Sequence, residues 1–280
     1  MNKQDTELLK KNRKFKICLV IVLAILALGI IGPFFTGDPS KWRADRRWEP
    51  PSFNFLLGTD MGGRDVFAQL CLAIRDSLWV GTLAGALALG IAILMGGVLA
   101  YKRGLIDEGA NLIINVFLVL PQLVLLVVMA SLLEGRSLIV VAMLIAIFSW
   151  PWMARNIRSQ ILSLRERKFV DLARISGKRD FTIVVKEILP NMLAYVFLVF
   201  IMATGWAVVM ESSISLIGLG PTTGFTLGQM LRLVIAWDVI RLGAWWYFIP
   251  PGLVIVMFTG TLMMLTSVID DVLNPKVRTE

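Results

Sequence analysis

The sequence predicts an all-α, polytopic membrane protein with six transmembrane helices and a further cytoplasmic helix between spans four and five. Three observations predict it. Of 280 residues, 57% are apolar and 17% charged, against roughly 45–50% and 25% in an ordinary globular domain. Uncharged runs recur at 17–37, 77–101, 109–133, 137–154, 188–210, 212–231 and 242–269, and a span needs about 20 such residues to cross roughly 30 Å of hydrocarbon. The 28 Lys and Arg residues fall unevenly on alternate connections, as the positive-inside rule requires. A soluble domain and a disordered chain are excluded.

The elements follow in order. Residues 1–16 form a cytoplasmic tail in which Lys10, Lys11, Arg13, Lys14 and Lys16 precede the first anchor, 17–37. That run of 21 residues exceeds the usual 7–15-residue core of a signal peptide, and no A-x-A site follows, so an uncleaved anchor is expected. Residues 38–76 are an extracytoplasmic connector with Pro39, Pro50 and Pro51. Its Lys41, Arg43, Arg46 and Arg47 are balanced by Asp38, Asp45 and Glu49, as on a solvated surface. Residues 77–269 hold five more spans and the loop 155–190, and 270–280 form a second cytoplasmic tail. Gly81 and Gly85 in span two have the spacing of a helix-contact motif. The run 212–231 fails as a simple helix, because Gly218, Gly220, Pro221, Gly224 and Gly228 interrupt it. It is expected to be the tail of span five followed by an irregular re-entrant or surface loop. The last run contains Pro250-Pro251-Gly252, so its regular helix is expected to start near there. Trp150, Trp152, Trp237, Trp245 and Trp246 fall at span ends, where aromatic belts form.

With the N-terminus inside, the cytoplasmic segments carry 19 basic residues and the outer ones 9. This split places both ends in the cytoplasm. It also accounts for the net charge of +8 without a nucleic-acid partner.

The absence of histidine from the sequence excludes Ser-His-Asp and Cys-His catalysis and HExxH zinc sites. Cys18 and Cys71 have no metal-ligand spacing, and they indicate no compartment. Proton-driven transport usually leaves paired charges within the spans, and here Glu211 stands alone. It either faces a pathway or is a structural acid that caps the irregular segment after it or pairs with a partner subunit. Trp206, one turn before Met210, either lines a path with it or packs in the core.

The loop 155–190 holds nine of the basic residues. Phe169, Leu172, Ala173 and Ser176 recur at i, i+3, i+4 and i+7, which places them on one helical face. Asp171 and Arg174 form an exposed pair, and Gly177 is a natural helix stop. Such a helix suits docking into a groove on another protein; the alternative is a basic loop that only fixes topology.

The stretch Asp171-Leu172-Ala173, Gly177, Leu189-Pro190 resembles the E-A-A-x3-G-x9-I-x-L-P signature of ABC importer permeases, with Asp171, Leu172 and Glu187 as its three departures. Leu57-Gly58-Thr59-Asp60 and Gly63-Arg64-Asp65-Val66 resemble the L-G-T-D-x-x-G-R-D-V stretch of the dipeptide and oligopeptide permeases of the DppC/OppC type. Ser163-Leu164-Arg165-Glu166-Arg167, Leu216-Ile217-Gly218-Leu219-Gly220 and Asn274-Pro275-Lys276 are similar to further motifs of that family. The likeness runs from about residue 53 to 280.

The resemblance implies that the helix around 168–177 is a coupling helix seated on an ATPase subunit, with Phe169, Asp171, Leu172, Ala173, Arg174, Gly177 and Pro190 serving that contact. It implies a homologous second permease subunit, two ATPase subunits that bind ATP and Mg, and an extracytoplasmic substrate-binding protein. No G-x-x-x-x-G-K-[ST] loop occurs in the chain, so no cofactor is expected in it and it is not expected to be an enzyme. Peptides are the substrate class implied, with oligosaccharides or another small solute as the alternative. A secondary transporter independent of ATP is the reading from another class.

Overall fold

The computed structural model describes residues 12–273, apart from Ser40 and Arg103. Regular structure among these residues is helical, with one isolated bridge between Thr59 and Asp65. α1 (Arg13–Ile30) starts at Asn12, whose side-chain oxygen accepts from the Lys14 and Phe15 amides. α2 (Val66–Ala92) starts at Asp65 in the same way. It continues through a wide π-type turn at Ile93–Val98 into Leu99–Lys102. Side-chain caps of this kind satisfy amides that the first turn leaves without partners. α3 (Leu105–Val119), α4 (Gln122–Ser131), α5 (Leu138–Arg165) and α6 (Lys168–Ile175) follow. α7 (Leu193–Leu216), α8 (Leu227–Ala236) and α9 (Trp245–Leu273) complete the order.

Four helices, α2, α5, α7 and α9, are long and apolar enough to cross a membrane, and α3 with α4 make a fifth span only as a bent pair. The expected straight span over 109–133 is therefore corrected. α3 and α4 meet at 84°, because Leu120 is extended (ψ 132°) and Pro121 caps α4. Proline removes an amide and keeps the residue before it out of helical geometry. α1 opens on Arg13, Lys14 and Lys16, and its uncharged positions 17–30 rise only about 21 Å.

Two further expectations are revised. The run 212–231 is irregular only after Leu216, and α8 starts at Leu227. A reciprocal cap holds that start: Thr226 accepts from the Gln229 amide and the Gln229 side chain accepts from the Thr226 amide. α9 starts at Trp245 rather than near Pro250, and carries Pro250 and Pro251 inside it. Membrane helices tolerate proline where neighbouring groups and local adjustments re-satisfy the backbone.

Close approaches fix the directions. Gly29 and Gly32 of the α1 segment meet Ile74 and Cys71, and Gly81 and Gly85 meet Val208 and Thr204. α1 and α7 therefore run antiparallel to α2. Gly96 and Gly97 meet Ala154 and Ile161, so α5 runs parallel to it. Asn12 and Asp271 border one cleft, which places both ends of the described chain together. Between α2 and α7, side chains are packed in the manner of membrane bundles, where small residues let backbones approach. One buried cluster, containing Tyr101, Ile157, Ile161, Val170, Ala173 and Ile188, lies under α6. A second runs from Cys18 and Leu265 to Met230, Val239 and Tyr247 at the opposite end.

Candidate functional site

α6 is joined to α5 by only Glu166 and Arg167. Val170 and Ala173 are buried and Phe169 half-buried against Ile161, Ile183, Val184 and Ile188. The inner face is thus set by 169, 170 and 173, rather than by Leu172 and Ser176, which point outward. Leu172 is 65% exposed and Ile175 84%. Asp171 Oδ1 accepts from Arg174 Nη1 at 3.2 Å. The helix stops at Gly177, whose φ is +74°. Its amide donates to the Arg174 carbonyl (2.9 Å) and the Lys178 amide to that of Ala173 (3.2 Å). This paired closure uses left-handed geometry that glycine adopts without strain. Glu187, a departure from the motif, accepts from Lys178 Nζ and so ties the helix stop to the next segment. That segment passes through a π-type turn at Val184–Ile188 into Leu189–Asn191, where Pro190 is exposed.

A second polar assembly sits at the opposite end of α2. Asp60 is buried and accepts from the Gly62 amide (2.8 Å), the Arg64 amide (2.9 Å), Arg64 Nε (2.7 Å) and Gln69 Nε2 (2.9 Å). Thr59 donates to the Arg46 carbonyl and accepts from the Glu49 amide. The Arg64 guanidinium lies over Trp42 and Trp237, and Trp246 Nε1 donates to the Thr59 carbonyl. The connector is therefore a folded knob rather than an extended surface. Two of the five tryptophans assigned to span ends, Trp237 and Trp246, hold it.

The other three candidates lie on α7. Trp206 borders a groove of about 490 Å3 with Trp152, Met202, Val209, Thr259 and Met263. Its Nε1 donates to Gln122 Oε1 (3.1 Å), and Gln122 Nε2 donates to Ser149 Oγ (2.7 Å), which links α7, α4 and α5. Met210 is buried with Val80, Ala84 and Ile145. Glu211 is 0% exposed, and its Oε1 accepts from Ser215 Oγ (2.5 Å) and Thr226 Oγ1 (2.6 Å). The carboxylate thus holds the start of α8 against the end of α7. Among the described residues no group of three or more Cys, Asp or Glu is placed to hold a metal ion.

The family described as binding-protein-dependent transport system inner membrane component matches residues 88–279. The chain belongs to that family. It is a multi-pass membrane component of ABC importers, a permease subunit. It is similar to the dipeptide transport system permease protein DppC of Bacillus subtilis, at 31% identity over 96% of this chain and 84% of the relative. A putative peptide transport system permease protein of Brucella suis is 28% identical over 97% of this chain and 91% of its own length. The oligopeptide transport system permease protein OppC of Bacillus subtilis is 26% identical over 96% and 88%.

In this permease, sequence reasoning missed four residues that organise the sites. Tyr101 meets both Arg165 and Arg174 beneath α6. Gln122 and Ser149 join Trp206. Their partners lie on other helices, and only the polar Gln122, set in an apolar run directly after a proline, offered a signal.

Proposed function

We propose that this permease forms half of the translocation pathway of an ATP-driven importer of di- or oligopeptides, with α6 as its coupling helix. Six spans are read by joining α1 to the turn Gly32–Phe35, which together carry the 19 uncharged positions 17–35. Both ends are cytoplasmic. A homologous second permease completes the pathway, and two ATPase subunits bind ATP and Mg. An extracytoplasmic binding protein delivers substrate, and this chain hydrolyses nothing itself.

The observation that carries the reading is the two-sidedness of α6. Val170 and Ala173 fasten it to its own chain, while Leu172, Ile175 and the Asp171 edge face outward as a docking ridge. The 19:9 division of basic residues supports the same sidedness, and so do the helix directions, which put Asn12, Asp271 and the end of α2 that meets α6 on one side. The names of the relatives support peptide as substrate.

The test is solute uptake and ATP hydrolysis by the complete complex in liposomes, with binding protein and mixed oligopeptides. Asp171→Arg and Gly177→Pro are each expected to abolish uptake while the chain still inserts. Normal uptake in both, or solute movement by this chain alone without ATP, would sink the reading.

A further inference from the structure

We propose that Tyr101 is the positioning residue that locks α6 to α2, so that motion imposed on α6 reaches the far end of the molecule through one helix. The proposal rests on the reading of α6 as the coupling helix.

Tyr101 closes α2 and is 2% exposed. Two guanidiniums lie over its ring. Arg165 Cζ is 4.9 Å from the ring centroid and Arg174 Cζ is 5.5 Å from it. Its hydroxyl oxygen accepts from Arg174 Nε at 3.0 Å. Arg165 is the last residue of α5 and Arg174 belongs to α6, so three helices converge on one side chain. The other contacts under α6, made by Val170 and Ala173, are apolar and carry no direction. A charge-assisted hydrogen bond and stacked cations do fix an orientation. Arg174 also binds Asp171, which extends the clamp to the outward edge of α6.

About three turns after its start, α2 is fastened just as specifically. Asp76 Oδ2 accepts from the Phe225 amide and Ser77 Oγ from the Leu227 amide, both at 2.9 Å. These bonds hold the segment after α7 and the start of α8. From Ser77 to Tyr101 a helix rises about 36 Å, so this length of α2 is a strut with a polar joint at either limit. Its one irregularity, the π-type turn at Ile93–Val98, loosens the ladder where such turns often serve function. Coupling between distant sites needs an element whose state both ends bias, and α2 meets that description.

The experiment uses the complete complex in liposomes with mixed oligopeptides and reads solute accumulated per ATP hydrolysed. Tyr101→Phe keeps the ring and removes the bond to Arg174; Tyr101→Leu removes both. The ratio is expected to fall roughly threefold in the first and about tenfold in the second, within the usual range of coupling between sites. ATP hydrolysis should continue. A merely structural role lowers uptake and hydrolysis together and leaves the ratio unchanged, which would overturn the proposal. Should Tyr101→Leu fail to assemble, Tyr101→Phe decides alone. A separate cross-link from Ser176→Cys to an engineered cysteine on the ATPase subunit tests the docking itself. Its absence overturns the coupling-helix reading, whereas cross-linking with unchanged ratios overturns only the role of Tyr101.

Discussion

Gly96 marks a close approach between α2 and α5: a methyl group there would lie 2.1 Å from the Ala154 carbonyl oxygen. Backbone does not yield as a side-chain tip does. Gly96→Ala is therefore expected to cost about 1–3 kcal/mol, read as a lower thermal midpoint in detergent; an unchanged midpoint contradicts the packing described. Asp60 makes the opposite case, a buried carboxylate whose donors are all in place. Asp60→Ala leaves Arg64 and Gln69 facing a gap and is expected to cost about 3 kcal/mol, the lower end for a broken buried pair. Arg64 keeps 21% of its side chain exposed, which softens the loss. Limited proteolysis of residues 41–65 measures it, since a wild-type cleavage pattern would show that the knob does not depend on Asp60. Asp60 was legible as part of the L-G-T-D stretch, though not as a buried acceptor, and its donors lie within nine positions. Tyr101 was not, because Arg174 lies 73 positions away.

Elements differ in how openly they announce themselves. α6 was readable from its spacing and from Gly177, although the periodicity indicated a face that turned out to be rotated. Leu172 fits the apolar pattern yet points outward, and Val170 takes the buried position. α8 was hidden by the glycines before and within it. The missed signal was Thr226 followed three residues later by Gln229, the capping-box spacing. Thr226 also donates to Glu211, so Thr226→Ala removes a cap and unfastens α8 from α7. A loss of about 1 kcal/mol is expected from the cap alone, seen as faster amide exchange over 227–236. Exchange at the wild-type rate would mean that tertiary packing alone holds α8. The break at Pro121 was obscure for another reason: Pro151, Pro250 and Pro251 all sit inside helices, so proline did not discriminate.

For the whole molecule, hydropathy and charge gave the helical class and the grouping of the basic segments. They did not show the break at Pro121, because an uncharged run says nothing of where the chain bends. The sidedness is open to a direct measurement. Cys18 and Cys71 are buried and should resist a membrane-impermeant maleimide. Cysteine placed at Ser176, beside α6, should label only from the cytoplasmic side, and at Asn54, in the knob, only from the outside. Labelling of both from one side would contradict the proposed orientation.

The polar chain through Gln122 also bears on how the protein is made. Gln122 enters the lipid early, but its acceptor contact with Trp206 is completed only 84 residues later in the chain. At ribosomal speeds of about 5–20 residues per second, that interval lasts roughly 4–17 s. During it, a side-chain amide in hydrocarbon lacks one of its two partners, and the short α4 has no finished helix on that side. Nascent chains arrested before α7 thus hold α4 without the Trp206 partner that fixes it in the finished molecule.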